Sequence, residues 1–320
     1  MDYLSRVSGQ HRAVDFLRTL IEHENLSHAY LFYGPAGVGK MTAAESFAAV
    51  ILAAEDQAGK GLLTGRVHPD MLIVERLPDK TRLGKDQISK EVQPWLALKP
   101  YRARHRLVII RDAHLLTPEA GNALLKTLEE PPEYAVIILV ADEVTLMETI
   151  LSRCQIVRFQ AVAEEDLVAI LTEQGIDIEQ ARCAARLSQG SVAAAVAFAQ
   201  ETGLAEQWNT AHSMVKSLAA GNMAAVFEAA ESIEKAPHLL SHMLSTILRD
   251  IYVYRSTGNA ALLMIAEHEG LAHAFSSAST DRLRDAVGKV QAMQKQLQTN
   301  VNPLTLGINM AYAVRDAFWD

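Results

Sequence analysis

One glycine-rich segment near the N-terminus carries the clearest chemical signal in this sequence. Residues 34–40 match the first seven positions of the pattern G-x-x-x-x-G-K-S/T, between an apolar run and an alanine-rich stretch. Glycines let consecutive backbone N–H groups point at an anion, and the lysine adds a positive charge near the β- and γ-phosphates. The pattern therefore predicts a phosphate-binding loop whose cofactor-binding residues are Gly34, Gly37, Val38, Gly39, Lys40 and Thr42.

The eighth position of this motif departs from the pattern. It holds Met41 instead of the serine or threonine whose hydroxyl binds Mg²⁺, and Thr42 follows one residue later. One residue of helix turns a side chain by about 100°, so we expect the Thr42 hydroxyl to point away from the metal. A thioether is a poor ligand for Mg²⁺, which takes oxygen ligands.

The strand that should supply an acidic magnesium ligand ends in Arg111. A P-loop ATPase needs a carboxylate at this place, usually followed by a glutamate that orients the attacking water. A guanidinium there repels a divalent cation, and Asp112 is interpreted as a remnant of the acidic pair or as a helix cap. We expect no metal site and no required cofactor, and at most weak binding of ATP, ADP or phosphate.

Apolar runs separated by helical stretches predict a parallel sheet, covered on both faces, in the first half of the chain. A helix is expected to begin at the cap Thr117 with Pro118 and to end before Pro131-Pro132. Beyond residue 162 the pattern is helical throughout, with breaks at Gln189-Gly190-Ser191 and Thr202-Gly203. The fold class is therefore α/β plus all-α, with five strands predicted at 29–33, 71–75, 107–110, 136–141 and 155–159.

The amino-acid composition excludes several classes of protein. The 320 residues, of which 49% are hydrophobic and 21% charged, indicate a globular protein of two or three domains. A net charge of −8 disfavours a surface that wraps DNA as a whole. The two cysteines exclude a disulfide framework, and no apolar run approaches the roughly 18 residues that span a bilayer. With no signal-peptide pattern at the N-terminus, we expect a cytoplasmic protein with no membrane contact.

The stretch from residue 76 to residue 106 is an exception to the acidic balance. Its lysines and arginines outnumber its acidic residues, and two interpretations remain open: a basic patch facing nucleic acid or an acidic partner, or a solvated connector. Trp95 and Tyr101 are the aromatic residues that could stack on bases, and both could equally belong to a core.

Several segments resemble the delta prime family of bacterial DNA polymerase III clamp-loader subunits, which are AAA+ proteins. The strongest of these segments lie within residues 9–160. Besides the glycine-rich loop, the resemblance rests on Gly9-Gln10, His28-Ala29-Tyr30-Leu31-Phe32, His68-Pro69-Asp70, the run from Asn122 to Pro132, Ser152-Arg153-Cys154 and Asn300-Val301-Asn302-Pro303.

The resemblance implies three domains and a set of partners. The expected domains are an AAA+ P-loop domain over 1–161, a small helical lid domain over 162–202 and a C-terminal helical collar domain over 203–320. Clamp-loader subunits assemble as hetero-pentamers of gamma/tau motor subunits with delta and delta prime. The complex loads the sliding clamp onto primed DNA as part of the DNA polymerase III holoenzyme, in the nucleoid-associated replisome.

The resemblance also implies a role for Arg153. Delta prime subunits often act as stators that do not hydrolyse ATP and that lend the arginine of the Ser-Arg-Cys motif to a neighbouring motor subunit. A guanidinium stays charged and grips two phosphate oxygens, which makes Arg153 the expected catalytic residue in trans. The alternative is a structural arginine paired with a local carboxylate. Cys154 is expected to be a small packed residue.

Two further departures from the family pattern add to those at Met41 and Arg111. Residues 55–67 contain no cysteine, so the zinc module that many delta prime subunits carry there is not expected. Ala193 stands where motor subunits commonly have a nucleotide-sensing arginine. The changes at Met41, Arg111 and Ala193 together predict that this chain does not hydrolyse ATP.

Two other functions remain as alternatives. One is a catalytically active AAA+ ATPase motor subunit of a clamp loader, which the P-loop favours. The other is a small-molecule kinase, in which the 122–132 run and the long helical C-terminus have no role. The helical stripe in the last domain is interpreted as bundle core or, in part, as a collar assembly surface; its residues are Leu239, Leu240, Met243, Leu244 and Ile247.

Overall fold

The computed structural model describes residues 3–78, 80–201, 203–265, 268–275, 278–297 and 301–319. The chain divides into two compact units, one formed by Met1–Gln174 with Gln189–Ala193 and the other by Gly175–Ser188 with Ala194–Asp320. The three domains expected from the sequence, with boundaries after residues 161 and 202, stay a prediction. Thr202, at the second boundary, lies outside the described residues.

A five-stranded parallel sheet is the centre of the first unit, with the strand order β2-β3-β4-β1-β5. The predicted fold class is confirmed here, and each strand end lies within one residue of its predicted position. The strands are β1 (Ala29–Tyr33), β2 (Met71–Val74), β3 (Arg106–Ile110), β4 (Ala135–Ala141) and β5 (Gln155–Arg158).

Helices cover both faces of this sheet, which is why its central strands are apolar along their whole length. Successive side chains of a strand point to opposite faces. Tyr30 and Phe32 therefore share one face, where their rings lie 5.2 and 6.2 Å from that of Phe47 in the helix after β1. Leu31 joins the cluster on the other face, which includes Leu124.

The helix predicted from the Thr117 cap begins and ends as expected. The Thr117 hydroxyl accepts a hydrogen bond from the backbone N–H of Ala120 at 3.2 Å, and the helix ends at Glu129, before the two prolines. A π-helical turn at Ile88–Val92 joins two short helices. The helices of the first unit are α1 (His11–Glu22), α2 (Lys40–Glu55), α3 (Lys60–Thr64), α4 (Lys85–Gln87), α5 (Gln93–Leu96), α6 (Pro118–Glu129), α7 (Glu148–Leu151) and α8 (Glu164–Glu173).

The second unit is helical throughout its described residues. The stripe from Leu239 to Ile247 is buried within it, each of the five side chains being at most 4% exposed, so these residues form bundle core. No helix in the described part of the chain has the length and apolar character needed to cross a bilayer. The helices are α9 (Ile178–Leu187), α10 (Val192–Gln200, whose first two residues belong to the first unit), α11 (Leu204–Ala219), α12 (Met223–Lys235), α13 (Pro237–Thr257), α14 (His268–Ala274), α15 (Thr280–Gln296) and α16 (Pro303–Asp316).

Candidate phosphate loop and arginine site

The glycine-rich loop leaves the sheet at the carboxyl end of β1, in the middle of the strand order. Tyr33, the last residue of β1, lies opposite Ala141 at the end of β4 and Arg158 at the end of β5. The loop therefore emerges between the ends of two neighbouring strands and runs directly into α2. In open α/β sheets, ligands bind at this carboxyl edge.

Two glycines give the loop its shape. Gly37 and Gly39 have φ angles of +74° and +97°, a region that L side chains rarely adopt. A Cβ on Gly37 would collide with Ser191 Oγ, whereas a Cβ on Gly39 would meet nothing within 4 Å. At Gly39, therefore, backbone conformation alone requires glycine. Positive φ angles at such closely spaced residues are compatible with the backbone of an anion-binding loop.

Gln10 fastens this loop to the segment after β5, which gives the Gly9-Gln10 motif a structural role. Its amide nitrogen donates to the carbonyl oxygens of Val38 at 3.2 Å and Gln160 at 2.7 Å. The backbone N–H of Gln160 donates back to Gln10 Oε1 at 3.2 Å. Val38 itself is only 1% exposed, so it contributes its backbone rather than its side chain to the loop.

Lys40 is buried, and its ammonium group is saturated by partners within the chain. Its Nζ donates to the carbonyl oxygen of Gly34 at 2.7 Å and to that of Pro35, and it pairs with Asp142 Oδ1 at 2.8 Å. An ammonium has three protons to donate, and three acceptors are present. Sequence reasoning did not identify Asp142. The signal was available, because Asp142 directly follows β4 and the carboxyl ends of parallel strands meet at one edge.

The two positions at which a P-loop ATPase binds magnesium are occupied here by Met41 and Arg111. Met41 occupies the first turn of α2, and Thr42, one residue later, is exposed on that helix. At the end of β3, the Arg111 guanidinium lies 2.9 Å from Glu75 Oε1, and this hydrogen bond raises the pKa of Arg111. A thioether and a paired guanidinium do not fit a magnesium ion, so the residues present do not form a Mg²⁺-triphosphate site.

Three other groups at this edge could each bring one ligand atom within 4.8 Å of the others: Asp112, His114 and Asp142. Their surroundings oppose a cation. Lys40 pairs with Asp142, Arg111 Nε lies 3.8 Å from Asp112 Oδ2, and His114 Nδ1 accepts a hydrogen bond from the Asp142 backbone N–H at 3.2 Å. Asp112 occupies the N-cap position of the short 3-10 turn Ala113–Leu115 with φ +53°, but its side chain accepts no capping hydrogen bond.

Arg153 lies near the opposite edge of the sheet, between α7 and the start of β5. Its guanidinium donates to the carbonyl oxygen of Thr149 at 2.9 Å and pairs with Glu129 Oε1 at 3.0 Å. Neither contact involves the phosphate loop. A five-residue strand spans roughly 15 Å, so an arginine near the amino edge does not reach phosphate bound at the carboxyl edge of its own sheet. Glu129, at the end of α6, is a second residue that sequence reasoning did not identify.

Cys154 is packed, as expected. Its side chain contacts the core cluster on the α6 face of the sheet. Burial raises the pKa of its thiol to about 12, so the group is a neutral thiol near pH 7 and a poor nucleophile.

The His68-Pro69-Asp70 motif has a structural role at the amino edge of the sheet. Asp70 is fully buried, and its carboxylate accepts hydrogen bonds from the backbone N–H groups of residues 101–103 at distances between 2.6 and 3.0 Å. The Asp70 N–H donates to His68 Nδ1 at 3.2 Å. The motif therefore fixes the turn that leads into β3.

An ion-pair network lies where relatives were expected to carry a zinc module. The Arg102 guanidinium donates to both oxygens of Asp56, at 2.5 and 3.2 Å, and His68 Nε2 lies 3.3 Å from Asp56 Oδ2. The hydrogen bond from Arg102 lowers the pKa of the Asp56 carboxyl to about 2. Charge pairing between these side chains connects the end of α2 to the amino edge of the sheet.

The basic stretch over 76–106 is partly internal. Besides Arg102, Arg106 is buried, its guanidinium carbon lying 4.0 Å from the Trp95 ring centroid, and it donates to the carbonyl oxygen of Leu98 at 2.8 Å. Trp95 packs against the core cluster, whereas Tyr101 is 81% exposed. A nucleic-acid or acidic partner for the remaining cations stays a prediction.

Comparison with known proteins finds similarity to subunits of DNA polymerase III. A family model described as DNA polymerase III, delta subunit, matches residues 9–163. The delta prime subunit of Bacillus subtilis DNA polymerase III is 34% identical over 206 residues, which are 62% of this chain and 61% of the relative. The tau subunit of the same organism is 33% identical over 184 residues, 54% of this chain and 32% of the relative. This chain thus covers less than two thirds of either B. subtilis relative.

A longer alignment links the chain to the delta prime subunit of Escherichia coli DNA polymerase III. That relative is 29% identical over 299 residues, which are 90% of this chain and 87% of the relative. Among solved structures, a DNA polymerase III gamma-subunit-related protein of Thermotoga maritima has a TM-score of 0.45 and 18% identity, covering 94% of this chain and 99% of that chain.

The phosphate loop follows β1, the strand that lies between β4 and β5 in the sheet. This strand order defines a P-loop protein of the AAA+ fold. Within that class, residues 9–163 match the DNA polymerase III delta-subunit model, and the chain is similar to the delta prime and tau subunits of DNA polymerase III.

Proposed function

We propose that this chain is a delta prime type subunit, a non-hydrolysing stator that donates Arg153 to ATP bound by a neighbouring motor subunit. The observation that carries the proposal is the state of the two magnesium positions. One is Met41, and the other is Arg111, which is engaged with Glu75. Because phosphoryl transfer depends on positioned charge, loss of the metal site removes hydrolysis at this chain's own loop.

The position of Arg153 supports its action in trans. About a third of its side chain is exposed, and its carboxylate partner Glu129 is half exposed. A surface ion pair of this kind is weak, so a phosphate from another subunit can replace the carboxylate. The guanidinium then stabilises the charge that develops on the transferred phosphoryl group.

The partners in this proposal are gamma/tau motor subunits and a delta subunit, arranged as a hetero-pentamer in the bacterial cytoplasm. The complex loads a sliding clamp onto primed DNA, and this chain reaches the clamp and the DNA through the complex. No cofactor is needed by the chain itself. The relatives named delta prime and tau support this set of partners.

The test is ATP hydrolysis by a clamp loader reconstituted from this chain and its cognate subunits. Arg153→Ala is expected to slow hydrolysis at the neighbouring site by about 10³-fold or more, and Arg153→Lys to recover little, since it keeps the charge but not the planar fork. Arg158→Ala, which removes an exposed arginine five residues further on, is the matched control. A complex that hydrolyses ATP at the parental rate with Arg153→Ala refutes the proposal.

An active motor ATPase is the second candidate, favoured by the intact backbone of the phosphate loop and by the tau relative. It predicts steady-state ATP hydrolysis by the isolated chain that Lys40→Ala abolishes. The stator proposal predicts no hydrolysis above background from either protein.

A further inference from the structure

Lys40, the lysine expected to bind phosphate, already pairs with a negatively charged side chain of this chain. Lys40 is only 4% exposed, and a buried ammonium requires a paired charge. Asp142 Oδ1 supplies that charge at 2.8 Å, and the carbonyl oxygens of Gly34 and Pro35 accept the remaining protons. The carboxylate therefore meets Lys40 in the way that a phosphate oxygen would.

Strand pairing and one histidine hold Asp142 in this place. Ala141, the last residue of β4, lies opposite Tyr33, so Asp142 and Gly34 are the first residues beyond two paired strands. The Asp142 backbone N–H donates to His114 Nδ1 at 3.2 Å. The sheet thus places the Asp142 backbone beside the loop, and the partly exposed Asp142 side chain reaches Lys40 from there.

We propose that Asp142 is an internal anion that occupies the phosphate lysine and thereby excludes polyphosphate ligands from the loop. Lys40 has three protons and three acceptors, so an incoming phosphate must displace one of them. The displaced carboxylate would then lie beside the phosphate, and the two negative charges repel each other. This inference deepens the proposed function, on which it rests for the assignment of the loop as a former nucleotide site.

The inference goes beyond loss of the metal site. Met41 and Arg111 explain poor magnesium binding, but the backbone cradle at Gly37 and Gly39 would still attract a metal-free anion. Asp142, in contrast, opposes binding of the phosphate anion itself. Its removal should therefore restore binding of phosphate ligands even in the absence of magnesium, whereas hydrolysis stays absent.

The test is binding of inorganic tripolyphosphate and of ADP to the full chain, measured by calorimetry with and without Mg²⁺. Asp142→Asn keeps the shape of the side chain and removes its charge, and it is expected to bind both probes at least about tenfold more tightly than the parent. Glu143→Gln, which removes a charge at the next, exposed position, is the matched control and is expected to match the parent.

Two further variants locate the effect. Adding Lys40→Met to Asp142→Asn is expected to abolish the gained binding, since the ammonium is then gone. If Asp142→Asn does not fold, Asp142→Ser replaces it, with circular dichroism as the check. Parental affinity in the folded variant overturns the inference, and so does gained binding that survives Lys40→Met. The Arg153→Ala assay uses the parental residue at 142, so each idea can fail without the other.

Discussion

Lys40 and Arg153, the two cations of the first unit to which the proposed function assigns roles, differ in burial and in their partners. Lys40 is 4% exposed and has three acceptors, one of them a carboxylate fixed by strand pairing. Arg153 leaves 35% of its side chain exposed, pairs with Glu129, itself 51% exposed, and donates to the carbonyl oxygen of Thr149 and to Ser152 Oγ. The first lies at the carboxyl edge of the sheet and the second near the amino edge.

This difference bears on how easily an anion from outside the chain could replace the partner of each cation. Releasing a buried cation from its partner leaves an uncompensated charge, which is costly. Releasing a surface arginine costs little, because water and a competing anion replace the partner. In the proposed function, Lys40 is therefore retained by its partners within the chain, whereas the Arg153 guanidinium can be released to a phosphate held by a neighbouring subunit.

The largest effect is expected on the alkylation rate of Cys154, the residue after Arg153. This rate tests whether the exposed Arg153 lies on a packed, ordered turn. Burial raises the thiol pKa from 9.0 to about 12, so the reactive thiolate is depleted at pH 8. Alkylation by iodoacetamide at pH 8 should be about 10³-fold slower than in the urea-unfolded chain, and should accelerate as pH rises toward 12.

Mass spectrometry of the peptide that contains Cys154 measures this rate separately from that of Cys183. A native rate equal to the unfolded rate would mean that the turn following Arg153 is not packed. Disorder of this turn would then be enough to account for the exposure of Arg153.

A smaller effect is expected from a double-mutant cycle on the carboxyl edge. Lys40→Met, Asp142→Asn and the double variant should give a coupling free energy of about 1–3 kcal/mol, since one partner is buried. Urea unfolding followed by circular dichroism provides the three stability changes. A coupling near zero would show that Lys40 does not depend on Asp142.

The smallest effect is expected from the matching cycle near the amino edge. Arg153→Ala, Glu129→Gln and the double variant should give a coupling of about 0.5 kcal/mol or less, because both side chains contact solvent. The same unfolding measurement applies. A coupling as large as that of Lys40 with Asp142 would place Arg153 among the structural arginines and weaken its role in trans.

Local pattern was enough to predict the framework of the first unit. Continuous apolar runs gave the five strands to within one residue, and the Thr117 cap with Pro131-Pro132 gave the bounds of α6. These signals are local because the spacing of apolar residues, helix capping and the restricted backbone of proline all act within a few residues. The phosphate loop was predictable for the same reason, since seven consecutive residues specify it.

Contacts between distant residues were not predictable in this way. Asp142 contacts Lys40 because β4 pairs with β1. The strand order that brings these two residues together cannot be predicted from the sequence of either segment. Glu129 meets Arg153 only through the positions of two helix ends. The sequence of the His68-Pro69-Asp70 motif indicates a resemblance to the family, but the hydrogen bonds by which Asp70 fixes the turn at 101–103 are visible only in the structure.

The sequence by itself determined which residue types stand at the loop, at the magnesium positions and in the Ser-Arg-Cys segment. Only the tertiary structure decided which charges are already neutralised. Whether a cation is available depends on its burial and on the partners that strand order brings within about 3 Å, and these are properties of the packed chain rather than of neighbouring residues.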